Sequence, residues 1–210
     1  MNHTLSRRRI LLGGAFLAAS AAVPGLALAA PSAAAQKIAD HFSSVRSMTG
    51  EFVQFGPRGE QTGGKFFIQR PGKIRFNYES PSAYRVISDG KAVVIDNRKL
   101  NTSDLYPLNK TPLKLLLDDR IDLSGTRVRS VKEEADATTI QIADKSAFGN
   151  SRITMMFDPS TMDLRQWTIR DAQGKDTTVM VYNVEDGASI DRSLFAIPYS
   201  QIATGQTGRR

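Results

Sequence analysis

The stretch "GGKFFIQRPGKIRFNYESPSAYRVISDGKAVVID", Gly63 to Asp96, decides the fold. Apolar and polar residues alternate along it, and Gly and Pro interrupt it at short intervals, the pattern of short antiparallel strands joined by tight turns. Asp89-Gly90, between two such runs, predicts a two-residue hairpin whose turn residues tolerate positive φ. Counting by twos puts Phe66, Ile68 and Arg70 on one face, and Ile74, Phe76 and Tyr78 on one face of the next strand. An arginine therefore shares a face with large apolar side chains. Leaving a guanidinium unpaired in a static core costs several kcal/mol. Two placements avoid that cost: Arg70 turns outward at the strand end, or its nitrogens donate to carbonyls on a neighbouring element, bonds that another partner can replace. Pro71 favours an extended Arg70 and stops the ladder there.

The strand period continues on both sides of this stretch. It predicts strands over residues 48–55, 61–70, 73–79, 83–88, 91–96, 99–105, 126–132, 138–144, 151–158, 163–171 and 176–184. Two segments break the period. In "SAAAQKIADHFSSVRSM", Ile38, Phe42 and Val45 form one apolar stripe of an amphipathic helix. In "NKTPLKLLLDDRIDL", Thr111 is placed to cap a short helix with Pro112 at its first position, and Leu113, Leu116 and Leu117 share its apolar side. Eleven short strands with tight turns and few helices give a mainly β fold, an antiparallel meander, sandwich or barrel. A curling sheet with one face uncovered needs something apolar over it, and the two helices are natural lids. The apolar face is expected to line a cavity for an apolar guest.

The amino terminus is of a different kind. "MNHTLSRRRILLGGAFLAASAAVPGLALAA" has a basic head, an apolar run from Ile10 to about Ala22, and an A-x-A site at Ala27-Leu28-Ala29. Residues 1–29 read as a cleaved secretory leader. Ser6 to Leu11 fits a twin-arginine address, and a Sec leader with a surplus arginine is the other reading. Residues 30–198 then form the working domain, and 199–210 a flexible polar tail. Loss of Arg7, Arg8 and Arg9 takes the net charge from +7 to +4. The other basic residues are interleaved with acids and do not cluster with aromatics, so the footprint of a nucleic-acid binder is missing. With 40% hydrophobic and 23% charged residues the chain has the composition of an ordinary globular domain. It has no cysteine, so in an oxidising compartment the fold rests on its core alone.

The inventory for catalysis is thin. Of two histidines, His3 lies in the leader and His41 reads as a helix-surface residue. There is no G-x-S-x-G elbow, no H-E-x-x-H and no EF-hand loop, and the glycines of "GPRGEQTGG" have no helix behind them to cradle a phosphate. The adjacent acids Asp118-Asp119 and Glu133-Glu134 read as solvated surface charge. The chain is therefore expected to be a binding protein, not an enzyme, taking no cofactor and no metal.

"GKFFIQRPGKIRFNYESPSAYRVISDGKAVVIDN" closely resembles the outer-membrane lipoprotein carrier family, LolA. The residues that carry the resemblance are Gly64, Arg70-Pro71, Phe76 and Ser88-Asp89-Gly90-Lys91. Further similarity lies in "MTGEFVQF" (Met48 to Phe55), "TPLKLLL" (Thr111 to Leu117) and "DRSLFAIP" (Asp191 to Pro198), so it runs from about residue 36 to 198. The resemblance implies an unclosed antiparallel β-barrel with a helical lid over a hydrophobic cavity. It implies a monomeric periplasmic chaperone that receives acylated lipoproteins from an inner-membrane ABC transporter and shelters their acyl chains on the way to the outer membrane. Phe52, Phe66, Ile68, Ile74, Phe76 and Tyr78 would then line the cavity. Arg70 would be a latch bonded to lid carbonyls, and Ile38, Phe42, Val45, Leu113, Leu116 and Leu117 would form the apolar side of the lid. The sequence departs from the family in having Phe76 where an indole is common and in ending on a short polar tail, which puts handover to an outer-membrane acceptor such as LolB in question. The alternatives are a periplasmic binder of free lipid or glycolipid, and an RseB-like lipoprotein sensor.

Overall fold

A computed structural model describes residues 32–121, 123, 127–146, 149–200 and 202. The leader expected over 1–29 and the last residues of the expected tail lie outside the described residues. Helix α1 (Ala33–Ser44) opens the described chain, with Ser32 as its cap accepting from the amide of Ala35 at 3.1 Å. Six strands follow: β1 (Ser47–Phe55), β2 (Gln61–Gln69), β3 (Lys73–Tyr78), β4 (Tyr84–Asp89), β5 (Ala92–Asn97) and β6 (Thr102–Pro107). A 3-10 turn (Leu108–Lys110) and the one-turn helix α2 (Leu113–Leu116) then lead to β7 (Val128–Glu133), β8 (Thr138–Ser146), β9 (Gly149–Phe157), β10 (Leu164–Arg170) and β11 (Asp176–Asp186).

All eleven strands belong to one antiparallel sheet of order β6-β5-β4-β3-β2-β1-β11-β10-β9-β8-β7. β6 and β7 are its two edges, so the sheet is curled but unclosed. The curl is visible in one contact. Phe76 of β3 and Trp167 of β10 are four strands apart, a span of about 19 Å in a flat sheet, yet their ring centres are 6.1 Å apart. The alternation read from the sequence supplies the filling of the inner face. Met48, Phe52, Phe66, Ile68, Ile74, Phe76, Ile140, Ile153, Met155, Phe157 and Trp167 are buried there in one cluster with Ile38 and Phe42 of α1 and Leu115 to Leu117 of the α2 segment.

Two glycines permit close backbone approaches. A Cβ on Gly64 would lie 2.0 Å from the carbonyl oxygen of Asn77, where β2 and β3 cross tightly. One on Gly72, at φ +78°, would lie 2.8 Å from the Cα of Gly90, so the β2–β3 and β4–β5 turns touch.

Several local expectations are corrected. The β4–β5 hairpin forms, but only Gly90 has positive φ (+99°); Asp89 ends β4 and its carboxylate accepts from the amides of Lys91 and Ala92. β6 starts at Thr102, not Lys99, because the chain first turns through Asn101 at φ 51°. Thr111 does not cap α2: its hydroxyl donates back to the Leu108 carbonyl (2.9 Å), and Pro112 occupies the cap position without a side-chain bond. After Pro198 the chain stays docked for a few residues. Ile197 and Ile202 pack with Ile87 and Val94, and the Tyr199 hydroxyl donates to Asp89 at 2.8 Å. No helix among the described residues is long and apolar enough to cross a membrane.

Candidate functional site

Arg70 sits immediately after β2, where Pro71 ends the strand. Its side chain points inward and is 6% exposed. Nε donates to the carbonyl of Val45, at the end of α1, at 3.1 Å. Nη1 donates to the carbonyls of Leu116, at close range, and of Asp118, at 3.4 Å. The guanidinium thus joins the C-terminal ends of both helices, where carbonyls lacking intrahelical partners gather. Its carbon also lies 4.3 Å from the centre of the Phe42 ring, a cation–π distance. Burial pushes its pKa down to about 10, with Arg46 adding to the fall and Asp119, Asp118 and Asp186 opposing it.

The neighbouring backbone reinforces the junction. The Arg70 amide donates to Arg46 (2.8 Å), and the Gly72 amide donates to the Leu117 carbonyl (3.0 Å). Ser43 of α1 accepts from the Ile121 amide at 3.0 Å. The ion pairs Arg46–Asp119 and Arg120–Asp40 across the same junction are exposed and add little. Both helices are therefore held at their ends by bonds that bridge elements, centred on one side chain.

Beside the α2 segment lies a cavity of about 510 Å³. Its walls come from both halves of the sheet: Phe76, Tyr78, Val86 and Ile95 on one side, Trp167 and Ile169 on the other, with Leu113 of α2 as part of the cover. The surface is mostly apolar, with Gln54, Glu60, Thr62, Tyr84 and Tyr106 among its polar members. Tyr78 donates to the Gln54 side chain at 2.7 Å, and burial pushes its hydroxyl up to about 12 with that hydrogen bond working against the shift. This environment suits an apolar chain with a polar head near the rim.

The residues expected to line a cavity divide into two groups. Phe76 and Tyr78 do line it. Phe52, Phe66, Ile68 and Ile74 are at most 1% exposed and lie in packed core. Phe52 makes edge contacts with Phe76 (4.8 Å) and Tyr78 (5.0 Å), while Phe66 and Ile68 lie beneath Phe42 of α1 and Val45 just after it, with room for about 20 Å³ between them. Ile38, Phe42, Leu116 and Leu117 are buried under the helices, Val45 is half-buried, and only Leu113 of the expected lid residues faces the cavity. Trp167, Ile169, Val86 and Ile95 were not anticipated. Period-two alternation marks each as inward-facing, but only the curl shows that β4–β5 and β10–β11 meet over one void.

Residues 43–198 match the family described as "Outer membrane lipoprotein carrier protein LolA". The chain is similar to the outer-membrane lipoprotein carrier protein of Pseudomonas aeruginosa, at 25% identity over 86% of this chain and 90% of that protein. It is similar to that of Leptothrix cholodnii at 27% identity, over 90% of this chain and 93% of that protein. Among solved structures, the complex of Pseudomonas aeruginosa MucA and MucB aligns at a TM-score of 0.44 and 13% identity, over 79% of this chain and 61% of that chain.

Proposed function

From the premise that this chain belongs to the outer membrane lipoprotein carrier family LolA, we propose that it is a periplasmic chaperone carrying acylated lipoproteins from the inner to the outer membrane. In this reading the domain spans residues 30–198, freed of a leader at 1–29, and takes its cargo from an inner-membrane ABC transporter. The observation that carries the proposal is a mostly apolar cavity bordered by the α2 segment, which one buried arginine ties to the end of α1.

The energetics suit such a task. Each buried methylene contributes about 0.8 kcal/mol, so an anchor of several acyl chains does not leave a membrane unaided. The cavity falls within the range of about 300–1,000 Å³ that holds one drug-sized ligand. That is too little for several acyl chains, so loading requires the helices to move off the inner face. Phe66 and Ile68 would then become lining, and the cargo would replace the helical apolar side chains against them. Arg70 acts as the latch in this scheme, because its carbonyl partners belong to the moving elements. Opening exposes apolar surface that cargo alone covers, so cargo selects the open state.

The test is to incubate the purified protein with inner-membrane vesicles and ATP, then recover it and identify what it holds. Acylated lipoprotein bound in stoichiometric amount is the expected result. Recovery of phospholipid with no lipoprotein would replace the proposal with that of a free-lipid binder.

A further inference from the structure

His41, Asp163 and Asp186 come from three separate elements: α1, the β9–β10 turn and the end of β11. Their ligand-type atoms, one imidazole nitrogen and two carboxylate oxygens, all lie within 4.8 Å of one another. None of the three side chains makes a hydrogen bond or ion pair with any described residue. The two carboxylates thus face each other without a lysine or arginine in ion-pair contact. Arg70, whose charge reaches Asp186, donates to carbonyls through Nε and Nη1, and its buried Nη2 has no hydrogen-bond partner among the described residues.

A second observation concerns the space beside them. The three residues form the polar side of a cleft with room for about 20 Å³, otherwise walled by apolar side chains including Phe42, Phe66, Ile68, Leu164 and Trp167. That is the room of one water-sized guest. Three ligand-type atoms brought together from three elements, two of them on exposed carboxylates, converge at a cleft of that size.

We infer that His41, Asp163 and Asp186 bind one divalent transition-metal ion of the zinc class, which pins α1 to the β10–β11 half of the sheet. An imidazole with two carboxylates is a ligand set for borderline ions, whereas calcium and magnesium take oxygen ligands throughout. Two carboxylates balance the charge of a divalent ion. Metal–ligand distances of about 2.0–2.2 Å place ligand atoms about 3–4 Å from one another, so the cluster contracts by roughly an ångström on binding, within the reach of three partly exposed side chains. The ion would tie the last turn of α1 to the sheet, next to the Arg70 junction. The inference goes beyond the carrier reading and stands whether or not that reading holds, since its test measures metal and not cargo.

The experiment is calorimetric titration of the chelator-treated protein with Zn²⁺, and titration with Co²⁺ followed by visible absorption. One ion per chain is expected, with a melting temperature raised by several degrees at saturation. Affinity should fall by more than about tenfold in His41→Ala and in Asp186→Asn. Both positions are at least partly exposed, so metal-free melting of each variant should match the parent; Asp163→Asn replaces either one that melts lower. Absence of binding at 100 times the protein concentration, or equal binding by parent and variants, would overturn the site. Hydrogen exchange of the α1 amides should slow on metal addition in the parent, and unchanged exchange with metal bound would overturn the pinning.

Discussion

The Arg70 guanidinium lies against the Phe42 ring, 4.3 Å from carbon to ring centre, so the residue that follows β2 is packed on the helix covering β2. The contact couples a charge to the apolar roof, and Arg70 is 6% exposed as a result.

Replacing Arg70 by Leu should therefore loosen both helices. It leaves the carbonyls of Val45, Leu116 and Asp118 without this donor. A buried carbonyl without a partner costs about 1–3 kcal/mol, offset in part by removal of a desolvated charge. A net loss of roughly 1–3 kcal/mol in denaturant melts is expected, with stronger fluorescence from a hydrophobic dye in the cargo-free protein. Arg70→Lys should restore little, since an ammonium lacks the planar fork that reaches two helices at once. Dye binding unchanged in Arg70→Leu would show that the bonds hold nothing shut.

Phe52→Ala tests whether this residue is core or lining in the closed protein. The ring is fully buried between Phe76 and Tyr78, so truncation should cost about 3–5 kcal/mol. A cost near 1 kcal/mol would place Phe52 beside open space.

Filling the cavity should have the opposite profile. Val86 borders the 510 Å³ void, so Val86→Trp projects an indole into existing room, not into packed core. Overpacking a filled core costs about 1–3 kcal/mol, and here less is expected, while capture of acylated lipoprotein drops sharply. Retained capture at full yield would move the cargo site elsewhere.

The alkaline limb of stability should report Tyr78. Its hydroxyl is pushed up to about 12 by burial from an ordinary value of 10. Between these values the folded chain keeps a proton that the unfolded chain has released. The stability this supplies is complete below pH 10 and is lost as pH rises towards 12. Melting temperatures of Tyr78→Phe should consequently fall less than those of the parent across that interval. Arg70, with its pKa lowered to about 10, acts in the opposite sense in both proteins and cancels from the comparison. Parallel curves would assign the limb to other groups.

The strands were legible because each obeys a local rule. Ile74, Phe76 and Tyr78 alternate, and the turn at Gly90 has the residue it needs. The inward direction of Arg70 was one of two open placements, since alternation fixes a face but a strand end can turn away from it. What the sequence could not show is which inward residues are covered. Phe66 and Phe76 have the same pattern, yet one lies beneath α1 and the other borders the cavity. The difference depends on where two helices rest on a curled sheet, and no local period carries that. The meeting of His41 with Asp163 and Asp186 was hidden for the same reason, being made by the β1–β11 pairing and the seating of α1.

Every pairing in the sheet except β1 with β11 joins strands that are consecutive along the chain. Nine hairpin-like or short-loop contacts are thus inexpensive in closure entropy, and a single junction, with Phe52 opposite Val181, has to unite distant segments. The molecule is built as two ribbons joined at one seam, and the seam is expected to zip last. Substitutions confined to that zip should accelerate unfolding and leave the refolding rate nearly unchanged, as stopped-flow chevrons would reveal.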